Sequence, residues 1–196
     1  MPLEEGKFLV RYLRVPIIST RLLKLHCKML VEKVRNRIGN WKNKSLSSAG
    51  RLQLISSVLF SLQGYWASMF TLPVSVIDKL ERIMRGFLWC QGDLKAGKAK
   101  VAWVDICLPK TEGGLGIRWL SEWNISLLSA HIWSIVTRKE TLWVRWVHAY
   151  KLCGSSFWNV SSQGNLSWGW RSLLNIRNII RPFLWYKVGN GHSISA

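Results

Sequence analysis

Three glycines in the stretch TEGGLGIR, namely Gly113, Gly114 and Gly116, raise the first chemical question, because a glycine-rich loop ahead of a helix can wrap its N–H groups around a phosphate. Their spacing argues against that use. It fits neither G-x-G-x-x-G nor G-x-x-x-x-G-K-S/T, Glu112 would repel an anion at the turn, and Leu115 and Ile117 read as strand or core positions. The three glycines are therefore expected to shape the backbone, supplying positive φ or close packing at a tight turn.

Polymerase or nuclease chemistry on two metal ions needs carboxylates held together. The aspartates are Asp78, Asp93 and Asp105, far apart and without a companion acid, so no catalytic residue is assigned. Four cysteines (Cys27, Cys90, Cys107, Cys153) and four histidines (His26, His131, His148, His192) include no C-x-x-C or H-x-x-x-H pair. His148 and Cys153 alone do not make a zinc site, and neither a metal nor a cofactor is expected. No Ser-His-Asp or Cys-His arrangement stands out for nucleophilic catalysis.

Charge is the stronger signal. Lys and Arg number 28 against 10 acids, a formal net charge of +18 with pI near 10.4, and such an excess is relieved by a polyanion. Nucleic acid fits this best, and an anionic membrane surface is the alternative, drawing on the 13 Trp residues. From Arg21 to Arg51 there are nine bases against one acid, Glu32. Lys42, Lys44 and Arg51, around the start of a helix, are the first candidates for phosphate contact, followed by Lys98, Lys100, Lys110 and Arg118. Most of the 13 Trp residues are expected to pack rather than stack on bases, and Trp143 and Trp146 sit one turn apart.

These residues must be positioned by a mainly α chain. Val10 to Ile18 mixes β-branched and aromatic residues and reads as one short strand. Ser19 or Thr20 can cap a helix over 21–38 that presents Leu23, Cys27, Leu30, Val34 and Ile38 on one face and Arg21, Lys24, Lys28 and Arg35 on its neighbour, closed by Gly39-Asn40. A second helix runs from Ser47 or Ser48 to about Phe70, before Pro73, and a third from Ser75 to about Cys90. After a polar, basic loop over 91–100, helical patterns recur at 123–136, 141–150 and 168–180, the last stopped by Pro182. The longest apolar run, Ile125 to Val136, is broken by serines and His131, so no membrane span is expected. The acidic start MPLEEGKFLV does not read as a secretory signal, which places the protein inside the cell, in cytoplasm or nucleus.

The segments WKNKSLSSAGRLQLISSVLFSLQGYW (41–66), FLW (87–89) and KVAWVDICLPKTEGGLGIRWLSEWNISLL (100–128) resemble the plant non-LTR, LINE-type retrotransposon reverse transcriptase, in the region that follows its catalytic palm. The likeness continues through LWVRWV (142–147), SWGWR (167–171) and VGNG (188–191), nearly the whole chain. It implies a helical thumb-like bundle and a linker, divided here into 1–19 as a remnant of the palm-to-thumb strand, 20–137 as the thumb-like domain and 138–196 as a Trp-rich, irregular helical linker. It also implies that the palm aspartates lie elsewhere, that the chain stops short of the family's zinc-binding domain, and that a palm of a related enzyme is a partner. Arg14 stands where relatives commonly carry Gly.

The function expected from residues and resemblance together is a non-catalytic reverse transcriptase fragment that binds RNA or an RNA–DNA duplex with little sequence preference. Two other readings stand beside it. One is a degenerate retroelement product with no selected activity. The other is a peripheral binder of anionic membranes, which requires the helix over 21–38 to expose Leu22, Met29 and Val31 beside its positive stripe.

Overall fold

Hydrophobic periodicity and capping place the helices. The computed structural model describes residues 11–12, 15–16, 18, 20–42, 45–90 and 101–185. Ser47 accepts a hydrogen bond from the Gly50 N–H at 3.2 Å and so caps α2 (Ser48–Leu54), satisfying one of the free donors of a helix start. A π-turn over Ile55–Leu59 joins α2 to α3 (Phe60–Met69). Ile55, Leu59 and Phe60 along this stretch are buried in the core. Past an extended Phe70 and Pro73 comes α4 (Val74–Trp89), whose Ile77, Leu80, Met84 and Phe87 are buried as their spacing predicts.

The N-terminal elements depart from the sequence expectation in two ways. Instead of one strand over 10–18, β1 (Arg11–Tyr12) pairs antiparallel with β2 (Val15–Pro16), Tyr12 opposite Val15, and Val15 is buried. α1 (Lys28–Lys42) begins seven residues later than expected. The chain from 24 to 27 makes a tight turn in which the Leu23 N–H donates to His26 Nδ1 at 3.1 Å, and α1 starts beyond that turn instead of at 21. Leu23 consequently leaves the packing face and is exposed, while Cys27, Leu30, Val34 and Ile38 keep it. Gly39 does not close the helix, which continues two residues beyond Asn40. Of the apolar set that membrane attachment would need, Leu22 and Val31 are buried and Met29 is half-buried, while Leu23 and Leu25 are exposed. Among the described residues, no helix is long and apolar enough to cross a membrane.

The chain is mainly α and builds two cores that share one helix. α1 and α2 pack on α4, and α3 packs on α6 (Leu120–Val136). Gly64 lets α6 come close, since a Cβ there would lie 2.9 Å from the Trp123 ring, and Phe60 meets that indole edge-on at 5.2 Å between centroids. The short α5 (Trp103–Cys107) adds Trp103 and Ile106 to the same core. Beyond it, Leu128, Ile132 and Ile135 of α6 join Val147, Leu152, Phe157, Trp170, Leu173, Leu174 and Ile176 in a second core. This second core is carried by α7 (Leu142–Val147), a π-turn over His148–Leu152 and α8 (Trp168–Ile180). Each fully buried aliphatic or aromatic side chain contributes roughly 1.5–3 kcal/mol. The two cores meet along α6, where Leu127 packs on the first and Ile125 and Leu128 on the second. Arg177 donates to Phe157 O at 3.0 Å and Val160 O at 2.8 Å and so ties the loop before α8 to that helix.

Candidate nucleic-acid interface

The glycine turn follows a single 3-10 turn, Lys110–Glu112. Gly113 takes φ 85° and Gly116 φ 67°, the left-handed region that an L side chain rarely enters. Gly114 is required for a different reason: a Cβ there would run into the backbone carbonyl of Leu108. The N–H groups of the three glycines donate to Lys110 O at 3.3 Å, Pro109 O at 3.1 Å and Leu108 O at 3.0 Å. With all three donors spent on the protein's own carbonyls, the turn has none left for a phosphate.

Two of the candidate cations flank that turn. Lys110 is exposed, with its stem alongside Gly116. Arg118 is exposed as well, and its guanidinium stands 5.6 Å from the centroid of the Trp123 ring. Arg51 corrects the expectation for its cluster. It is only 8% exposed, its Nη1 donates to Leu88 O at 3.4 Å, and it serves the contact of α2 with α4 instead of facing a ligand. Lys42 ends α1, and its side chain lies outside the described residues, as do Lys44, Lys98 and Lys100.

A more concentrated basic site lies elsewhere, at residues that the sequence does not single out. Arg138, Lys139 and Arg145 line one cavity of about 730 Å³ together with His148, and Glu140 is the one acid of its lining. Local chain geometry brings them together. After α6, Arg138 adopts φ 49°, the Lys139 N–H donates back to Ser134 O at 3.0 Å, and Thr141 caps α7 by accepting from the Val144 N–H at 3.3 Å. His148 anchors the returning helix, its Nε2 2.9 Å from Ile135 O. All three cations are exposed. The sequence signal is the Arg-Lys pair at the end of an apolar helix, with Arg145 a few residues on, but only the reversal of direction at 137–141 makes them neighbours.

Further cations lie along α1, where Lys28, Arg35 and Arg37 are exposed and Lys33 is half-buried. On α1, Lys28 and Arg35 lie two turns apart, about 10.5 Å along the axis, with Glu32 between them. Lys28 and Glu32 approach to 4.0 Å, the one ion pair among the described residues. Lys79 and Arg82 are exposed on α4. The acids are spent differently: Glu81 accepts from the Leu120 N–H at 3.3 Å, and burial raises its pKa above the ordinary carboxylate value. Burial likewise pushes the Cys27 thiol up to about 11 and, with Glu81 and Glu122 adding, the Cys107 thiol up to about 12, which suits neither for thiolate chemistry. Among the described residues no three His, Cys, Asp or Glu side chains gather as a metal site, and Asp93 lies outside them.

Comparison with known proteins gives two relatives. An Arabidopsis thaliana protein with the provisional name ribonuclease H protein is 32% identical over 184 residues, 92% of this chain but 30% of that protein. An uncharacterized mitochondrial protein of Arabidopsis thaliana is 30% identical over 132 residues, 67% of this chain and 86% of that protein. The chain thus spans less than a third of the length of the first relative and most of the second. No family model and no solved structure matches it. With that identity extending over most of the shorter relative, the chain belongs to the same family as the uncharacterized mitochondrial protein of Arabidopsis thaliana.

Proposed function

We propose that the chain is a retroelement-derived piece, the thumb and linker of a LINE-type reverse transcriptase, which binds RNA or RNA–DNA duplexes without sequence preference and has no polymerase activity of its own. The relative named for ribonuclease H supports this reading, because an activity on RNA belongs beside reverse transcription, and that relative is about three times as long as the segment matched here. A palm from a related enzyme is the natural protein partner under this reading.

One observation carries the binding claim: Arg138, Lys139 and Arg145 converge on one cavity with a single acid in its lining. Each cation that neutralises a phosphate releases condensed counterion, so such a site binds through charge, loses affinity steeply with salt and ignores base identity. Lys110 and Arg118 extend the basic surface at the glycine turn.

The test is titration of the full chain with duplex RNA of two unrelated sequences, and with phosphatidylserine vesicles, over a range of salt. The proposal expects equal affinity for both duplexes, a steep loss with salt, and weaker association with vesicles of equal charge. Preference for vesicles, or a strong preference between the duplexes, would overturn it. Incorporation of deoxynucleotides on any primed template with a divalent metal would overturn the inert reading.

A further inference from the structure

An aromatic groove lies where α3, α6, α7 and α8 meet, away from the cavity of Arg138. It encloses about 600 Å³ and is lined by Phe70, His131, Trp143, Trp146, Trp168 and Trp170, with Lys151 at its side. No Asp or Glu lines it. Trp143 and Trp146 are 40% and 46% exposed. Leaving two large indoles in water is unfavourable unless something covers them.

The indoles are held in place. His131 has Nε2 2.8 Å from Ser68 O and meets Trp143 edge-on at 5.5 Å, while Trp146 leans on Tyr150 at 5.9 Å. Cations stand near the rings: Lys151 Nζ is 5.6 Å from the Trp146 ring centre, and the Arg21 guanidinium is 5.4 Å from that of Trp168. Flat aromatic platforms with positive charge beside them and no carboxylate combine base stacking with phosphate neutralisation.

We propose that this groove binds unpaired bases of a single-stranded nucleic acid, stacked on Trp146 and Trp143, with the flanking phosphates met by Lys151 and Arg21. The inference rests on the reading that the partner is a nucleic acid, and adds a form of it that the basic cavity does not select. A duplex keeps its base faces inside its own stack, so only unpaired nucleotides can offer a ring to the indoles. Charge favours this occupant over a second copy of the chain, which would bring +18 against +18.

The experiment compares three fluorescein-labelled probes by anisotropy with the full chain: an oligothymidylate of about ten nucleotides, an abasic strand of the same length and charge, and a blunt duplex. The wild type is expected to prefer thymidylate over the abasic strand. Trp146→Ala should weaken thymidylate binding roughly tenfold and leave the abasic strand and the duplex unchanged. Lys151→Gln should weaken both single strands. On the wild-type chain, which no folding defect can confuse, a 5-iododeoxyuridine strand should photocrosslink to Trp143 or Trp146. Equal affinity for thymidylate and abasic strand, or crosslinks confined to other residues, would overturn the groove while leaving duplex binding standing. A change of sedimentation on Trp146→Ala without any oligonucleotide would assign the groove to a second copy and overturn it too. Failure of all three probes to bind would overturn both the groove and the nucleic-acid reading.

Discussion

The region up to Leu127 and the region from Leu128 differ in the polar groups that they bury and in those that they gather at the surface. All three buried polar or charged side chains among the described residues, Arg51, Gln63 and Asn124, lie in the first region. Asn124 is spent wholly on the fold, accepting from the Leu72 N–H at 2.8 Å and donating to Ala67 O at 2.6 Å and Phe70 O at 2.9 Å. In the second region the cations Arg138, Lys139 and Arg145 and the indoles of Trp143 and Trp146 face outward. A net charge of +18 is therefore not one surface. Arg51 in the first region and Arg177 in the second are spent on backbone carbonyls, while Arg138, Lys139 and Arg145 line one cavity.

The contrast breaks most sharply at Gly114. Gly114→Val should prevent the first region from folding or cost about 3 kcal/mol or more, because no rotamer relieves a clash with the Leu108 carbonyl. Thermal melting by circular dichroism measures this, and a wild-type melt would show that the turn tolerates a side chain. Asn124→Ala comes next. It strands one buried N–H and two carbonyls where α3 ends, and should cost about 3 kcal/mol in denaturant unfolding. A loss under about 0.5 kcal/mol would mean that water replaces the side chain.

Arg51→Met is the sharpening case, since it removes a base without removing any surface charge that a ligand can reach. Stability should change by about 1 kcal/mol or less, and the salt dependence of duplex binding should stay at its wild-type slope. A shallower slope would return Arg51 to the interface.

The smallest effect belongs to Glu81. Its pKa is raised by burial, with Asp78 adding and the Leu120 N–H opposing, so the folded state holds this proton more tightly than the unfolded chain. The Trp103 indole N–H opposes as well, although it makes no well-formed hydrogen bond. The contribution to stability is therefore fully present below the ordinary value of 4.5 and is lost as pH rises through the raised folded value. Glu81→Gln keeps an acceptor for Leu120 and should flatten the fall of melting temperature across that window. An unchanged pH profile would place the cause elsewhere.

Local signals are legible in the sequence and long-range ones are not. The periodic spacing and Pro182 give α8 its bounds at Trp168 and Ile180, as expected from the residues alone. The start of α1 differs from expectation because the chain first makes a turn over 24–27, in which His26 Nδ1 accepts from the Leu23 N–H, and a search for Ser or Thr caps does not see it. The need for glycine at 113, 114 and 116 can be read from the failed phosphate-loop spacing, though not which carbonyl Gly114 abuts. Arg51 reads as a ligand contact in sequence because a carbonyl 37 residues away, on Leu88, decides its direction. The cluster of Arg138, Lys139 and Arg145 escapes for the same reason, since it exists only once α6 reverses into α7.

The central claim, that charge gathered in the second region grips a nucleic-acid duplex, is tested most directly by the triple substitution Arg138→Gln, Lys139→Gln and Arg145→Gln. Affinity for duplex DNA is measured against salt for wild type and variant, with melting temperature as the control for folding. Every phosphate that the variant no longer neutralises removes roughly 0.9 from the slope of log affinity against log salt. The account thus predicts a slope shallower by about two to three, equal for unrelated sequences, at an unchanged melting temperature. An unchanged slope in a folded variant would contradict it and leave these three residues as solvated surface charge.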